Sequence, residues 1–204
     1  MKTKSLQIFD RRIRSLVQAE LLEDPGDGYI EAADTLWAVY KKRFLQELRT
    51  LGKSVPEHSH WSWKLKLEEL WYEDAEFKCF AITCGGEPQG LMLLKHGREY
   101  VSRLPEQQGQ PLVYLAYLES APWNLKEFCN APIYGEVGSE LYTAAVKFSR
   151  FLGLEGRIGL HSLPGAEGFY EKKCHMISLG HDPECENLTY FESVGDSSKK
   201  GENE

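Results

Sequence analysis

One stretch restricts the folds open to this chain more than any other. Leu112 to Ser120 alternates as a strand, with Val113, Leu115 and Tyr117 facing one way and Tyr114, Ala116 and Leu118 the other. Ala121-Pro122-Trp123-Asn124 breaks it, a loop runs to Tyr134, and Gly135-Glu136-Val137-Gly138-Ser139 leads into a helix expected from about Glu140 to Leu152. Leu141, Ala144, Ala145, Phe148 and Leu152 make that helix's apolar face, and Gly153 stops it. A strand, a glycine-containing turn and a helix in this order make a natural anion site. The first helical N–H groups have no partner within the helix, the helix dipole favours negative charge, and glycine lets the backbone approach phosphate oxygens. A tight turn that only starts a helix is an equally supported reading. No Gly-Lys-Ser/Thr follows, so this is not a Walker loop, and the three-glycine spacing of a dinucleotide fold is missing.

The remaining pattern is mixed. Residues 1–14 are polar and basic and read as an arm or as the lead-in to a strand at Ser15–Leu22. Ala33, Leu36, Trp37, Tyr40, Phe44 and Leu48 recur at helical spacing between Tyr29 and about Leu51. A second helix is expected over Trp61–Leu70. The apolar runs Phe77–Thr83 and Gly90–Lys95 flank Gly85-Gly86 and predict a hairpin. After Gly153 come a strand at Arg157–Ser162, a short helix at Ala166–Lys173, and strands at Ile177–Leu179 and Leu188–Glu192. Residues 15–193 are therefore expected to form a single α+β domain, and 194–204, nearly devoid of apolar residues, a disordered tail.

Hydrophobic residues make up 42% and aromatics 12%, enough for a core, and the formal net charge is −7. That charge disfavours a nucleic-acid partner, which needs clustered Lys and Arg. No apolar stretch is long enough to span a bilayer, and no apolar run follows the basic start as in a secretory signal, so no membrane partner and a cytoplasmic location are expected. The five cysteines form no Cys-x-x-Cys pair and read as reduced thiols. Cys174-His175 with His181 and Cys185 matches no standard zinc spacing, so no metal is expected.

The run from Gly156 to Met176 resembles the end of the GNAT N-acetyltransferase core, where a strand leads into a short helix carrying Ala-x-x-Phe/Leu-Tyr, here Ala166-Glu167-Gly168-Phe169-Tyr170. The resemblance covers residues 77–192 well and 1–76 in outline. It looks closest to bacterial members with Ala-Pro-Trp-Asn after the central strand and Gly-Leu-His-Ser-Leu-Pro before the last helix. It implies the GNAT fold, a mixed, mostly antiparallel central sheet flanked by helices. It also implies acetyl transfer from acetyl-CoA, as co-substrate, to an unidentified amine of a small molecule or protein. The backbone at Leu118, Glu119 and Ser120 would pair with the pantetheine arm of a cofactor held where the central strand splays from its neighbour. The turn at Tyr134, Gly135, Glu136, Val137, Gly138 and Ser139 would cradle the pyrophosphate.

The same resemblance puts Tyr170 in the place of the general acid that protonates the leaving thiolate. Glu119 and His161 are the candidate bases, because transfer needs a neutral amine. A surface carboxylate and a structurally hydrogen-bonded histidine are the plainer readings of those two. His58, His60, Trp61, Trp63 and Trp123 would line the acceptor side, where aromatic faces can hold a cation; tryptophans so close together can equally be core. The turn departs from the family's Arg/Gln-x-x-Gly-x-Gly/Ala pattern, with Ile133 in the Arg/Gln slot and Glu136 in the central glycine slot. His175 stands where a glycine usually ends the tyrosine-bearing helix. Three readings stay open: an active acetyltransferase, a degenerate GNAT domain that binds a ligand or partner without turnover, and an effector acetyltransferase acting on charged tRNA or protein. A homodimer is a further partner expectation.

Overall fold

The computed structural model describes residues 1–50, 52, 55–72 and 76–196. Among these, nine strands and four α-helices give a mixed, mostly antiparallel sheet flanked by helices. The strands are β1 (Lys2–Asp10), β2 (Ser15–Glu23), β3 (Glu76–Cys84), β4 (Glu87–His96), β5 (Val113–Ser120), β6 (Tyr134–Gly135), β7 (Ile158–Ser162), β8 (Ile177–Asp182) and β9 (Leu188–Glu192). The helices are α1 (Asp27–Thr50), α2 (Trp63–Tyr72), α3 (Val137–Phe151) and α4 (Glu167–Lys172). No helix among the described residues is long and apolar enough to cross a membrane.

The chain divides into two compact units: residues 1–74, 79–92 and 118–141, and residues 75–78, 93–117 and 142–204. In the first, the strands follow the order β6-β1-β2-β3-β4-β5. Residues 2–10, read from sequence as an arm or lead-in, are a full strand in antiparallel register with β2 from Lys2↔Glu23 to Asp10↔Ser15. The basic side chains hid the alternation, because most of this strand is exposed and needs no apolar face. Gly85 and Gly86 both have positive φ, 60° and 82°, which is the backbone a two-residue hairpin between β3 and β4 requires.

Helix α1 buries Ile30, Ala33, Trp37, Lys41 and Leu48 along one stripe and packs on α2. Leu36, expected on that stripe, is 43% exposed, and a lysine takes a buried position one turn after Trp37. Asp34 caps the start of α2, accepting from Trp63 N at 2.8 Å and from Ser62 Oγ at 2.8 Å. Leu70, expected on the buried face of α2, and Leu51, the expected end of α1, lie outside the described side chains.

In the second unit, β7 lies between β5 and β9, and β8 pairs beyond β9. The β5–β7 ladder is parallel and has only two steps, Val113↔Ile158 and Tyr114↔Gly159. β7–β9 and β9–β8 are antiparallel. Gly159 is required by packing: a Cβ there would lie 2.5 Å from the Tyr190 hydroxyl and 3.2 Å from Leu112. The polar loop at 98–110 is pinned by Glu192, which accepts from Ser102 Oγ at 2.5 Å and from Arg103 N at 2.6 Å. Of the tail expected to be disordered, Asp196 N donates to Glu155 O at 2.8 Å, and residues 197–204 lie outside the described residues.

Candidate functional site

Helix α3 begins three residues earlier than its apolar periodicity predicts, at Val137. Val137, Gly138 and Ser139 are therefore its first helical residues, and their N–H groups have no acceptor in the preceding turn of helix. Glu140 N closes the first helical bond, to Glu136 O at 2.9 Å. Glu136 itself has φ 65°, the left-handed region that favours glycine, and its side chain is exposed. A glutamate thus holds a backbone conformation that glycine adopts without steric cost. The helix start lies hard against β4. A Cβ on Gly90 would come within 2.6 Å of Val137 Cγ1 and 2.9 Å of Leu141 Cδ1, so only glycine admits α3 this close.

The Ala-Pro-Trp-Asn segment holds the turn in place. Gln89 of β4 is fully buried. Its backbone carbonyl accepts from Ala121 N at 2.8 Å, and its side-chain oxygen accepts from Trp123 Nε1 at 2.9 Å and Asn124 Nδ2 at 3.1 Å. Asn124 Oδ1 in turn accepts from Tyr134 N at 2.9 Å, and Ile133 N donates to Trp123 O at 3.0 Å. Trp123, expected on the acceptor side, is buried, with its ring edge-on to Tyr40 at 5.6 Å, and serves this scaffold. Sequence reading missed Gln89. The available signal was an amide directly before the apolar run Gly90–Leu94.

Glu119 also departs from the expectation. It is 3% exposed, and both carboxylate oxygens are engaged: Lys41 Nζ meets Oε1 at 2.6 Å, and Trp63 Nε1 donates to Oε2 at 2.7 Å. Burial raises its pKa, against the pull of Lys41, Trp63 and Lys66. It is a buried, ion-paired carboxylate and not a surface one. Trp63, an expected acceptor-side residue, is buried and spends its N–H on this carboxylate. Lys66 is also buried, with Nζ 3.9 Å above the Trp61 ring, and burial lowers its pKa to about 8. His58 packs edge-on to Trp61 and Phe128, while His60 is exposed. Leu118 and Ser120 on β5 are half-buried.

Tyr170 and His161 belong to the second unit. Tyr170 is buried on α4 beside Phe169 and Phe191, and its hydroxyl makes no hydrogen bond among the described residues. Burial pushes the phenol well above its ordinary range, so it stays protonated at neutral pH. His161 is held at both ring nitrogens, by the Tyr114 hydroxyl at Nδ1 (2.8 Å) and by Asp182 Oδ2 at Nε2 (3.0 Å). With Asp182 accepting from Nε2–H, Nδ1 is left to accept from Tyr114. Arg103 Nη1 reaches the same Asp182 oxygen at 2.6 Å and, with His161, holds that carboxyl well below the usual range. The plainer reading of His161, a structural histidine, therefore fits better than a free base. His161, Asp182 and Cys185 bring three ligand-type atoms within 4.8 Å of one another, but Arg103 already occupies the carboxylate. His175 has φ 54° after α4, in the left-handed region that favours glycine.

No protein-family model matches the chain, and no curated protein matches it. Solved structures do. An acetyl transferase from Salmonella typhimurium that modifies the N-terminal serine of a 50S ribosomal subunit protein superposes with a TM-score of 0.53 at 13% identity, over 87% of this chain and 95% of that one. The histone acetyltransferase HPA2 and related acetyltransferase of Corynebacterium glutamicum gives 0.50 at 12% identity, over 95% and 99%. A GNAT-family acetyltransferase from Listeria monocytogenes gives 0.47 at 13%, over 85% and 94%. At these identities the likeness carries architecture and not substrate: the chain shares the fold of the first two of these acetyltransferases.

Proposed function

We propose that this chain transfers an acetyl group from acetyl-CoA directly to an amine, with Tyr170 as the general acid. The observation that carries the reading is the start of α3, seated on Gly90 with the N–H groups of Val137, Gly138 and Ser139 free of helical partners. The residues present suit a pyrophosphate there. Gly135 is buried and offers no side chain, and the Glu136 carboxylate is directed to solvent. When bound, acetyl-CoA supplies the thioester carbonyl that an amine attacks. The turn's N–H groups donate to the phosphate oxygens, and the β5 backbone at Leu118–Ser120 lies at the end of the central strand, where the family pairs it with pantetheine. Tyr170 holds a proton that a departing thiolate needs. Glu119 and His161 are both committed to partners, so the amine proton leaves through water or through a group on the acceptor.

A thiol-release assay with acetyl-CoA and a panel of small amines and peptide N-termini tests this. Wild-type protein is expected to release coenzyme A with at least one amine. Tyr170→Phe is expected to lower kcat roughly 100-fold or more with KM for acetyl-CoA unchanged. Undiminished kcat in that variant removes Tyr170 from the chemistry.

A second reading has its own support. Glu119 is held in an ion pair and Glu136 places a carboxylate in the turn, features that suit a degenerate domain that binds a ligand or protein partner without turnover. Failure of coenzyme A to bind or stabilise the protein, together with silence across the amine panel, would favour it.

A further inference from the structure

We propose that Arg11, at the tip of the β1–β2 hairpin, is the cation that binds the pyrophosphate at the 135–139 turn. The inference rests on the reading of that turn as the coenzyme A site.

The hairpin tip and the turn are joined by backbone. β6 pairs with β1 at Phe9↔Gly135 and Asp10↔Tyr134, and Arg11 N donates to Ile133 O at 2.9 Å. This fixes Arg11 beside the turn regardless of its side chain. The guanidinium lies over Gly135: a Cβ on that glycine would meet Arg11 Nη2 at 3.1 Å, Cζ at 3.5 Å and Nε at 3.6 Å. Gly135 is thus the floor on which the guanidinium rests, at the approach to the helix start.

Arg11 is exposed, and among the described residues its guanidinium makes no hydrogen bond or ion pair. The neighbouring carboxylate, Asp10, is buried and spent on Arg12, accepting from its backbone N (2.9 Å), Nε (3.1 Å) and Nη2 (2.6 Å). Arg12 also reaches the Tyr134 hydroxyl at 3.2 Å. The two adjacent arginines therefore divide the work. Arg12 ties the hairpin to β6, and Arg11 presents a planar fork of donors whose geometry matches two phosphate oxygens. It adds positive charge beside a turn whose own charged residue, Glu136, is negative.

Calorimetry with coenzyme A on wild type, Arg11→Ala, Arg11→Gln and Arg14→Gln tests this. Arg14 is the control, since it is exposed on the same hairpin turn but lacks the contact with Gly135. Arg11→Ala and Arg11→Gln are expected to weaken binding about 10- to 100-fold. Arg14→Gln is expected to leave it within about twofold, and apo melting temperatures are expected to match, because Arg11 is exposed. Wild-type affinity in both Arg11 variants overturns the proposal and leaves the coenzyme A site standing. Equal losses in the Arg11 and Arg14 variants also overturn it, as a general charge effect. No binding of coenzyme A to wild type overturns the site itself, and the role of Arg11 with it.

Discussion

Glu119 carries a carboxylate into the interior of the first unit and survives there because Lys41 and the Trp63 indole meet both of its oxygens. Removing one partner of such a pair leaves the other charge in a low-dielectric setting, which costs more than the pair contributes. Glu119→Gln keeps the volume and an acceptor for Trp63 but leaves Lys41 without its counter-charge. A loss of about 3 to 5 kcal/mol is expected in urea unfolding, and Glu119→Gln with Lys41→Met is expected to recover most of it. A folded Glu119→Gln protein of unchanged stability and much reduced kcat would instead make Glu119 a base. The sequence placed this glutamate at the end of the central strand, and that position is right. What it could not supply is the partner, because Lys41 lies far away in the chain and a lysine on a helix stripe reads as a break in the apolar face. The place of Tyr170 on α4 was legible because its motif is local, while its burial depends in part on Phe191, distant in the chain.

At the level of elements, the position of α3 decides whether the turn can hold a phosphate. Periodicity located the helix but not its first turn, since Val137 is the only large apolar residue before Leu141 and the preceding glycines carry no face. Burial of Val137 against β4 begins the helix early and leaves three N–H groups without helical partners. The close approach depends on Gly90. In Gly90→Ala the new methyl would meet Val137 and Leu141 at 2.6 and 2.9 Å, and both belong to α3, which must shift outward. Such overpacking costs about 1 to 3 kcal/mol. Because α3 carries the donors, coenzyme A affinity in calorimetry is expected to fall as well, although position 90 itself offers a ligand nothing but backbone. Wild-type affinity at lowered stability would separate the packing of α3 from the site. The hairpin β3–β4 and strand β5 were readable from glycine chemistry and alternation alone. Strand β1 was not, because its pairing to β2 and β6, and not its side chains, makes it a strand.

For the whole molecule, a formal charge of −7 opposes the approach of any polyanion, while the hairpin places Arg11 beside the turn. The two effects act over different lengths. Near physiological ionic strength the screening length is about 8 Å, so a phosphate at the turn feels the adjacent guanidinium and little of the distant acidic surface. At about 0.01 M salt the screening length grows to about 30 Å and the net charge is felt in full. Attraction at short range and repulsion at long range both weaken as salt is added, with opposite consequences for affinity. Wild-type affinity for coenzyme A is therefore expected to change little between about 0.01 M and 0.15 M salt. Arg11→Ala removes the short-range attraction and makes the net charge −8 (−7 − 1). The helix dipole still attracts but acts only within the first turn, so repulsion dominates what salt screens, and the variant's affinity is expected to rise with salt over the same range, read as a fall in calorimetric Kd. A wild type whose affinity drops steeply with salt would mean that several cations, and not one, face the phosphates. A variant whose salt dependence matched that of wild type would place Arg11 too far from the ligand to matter.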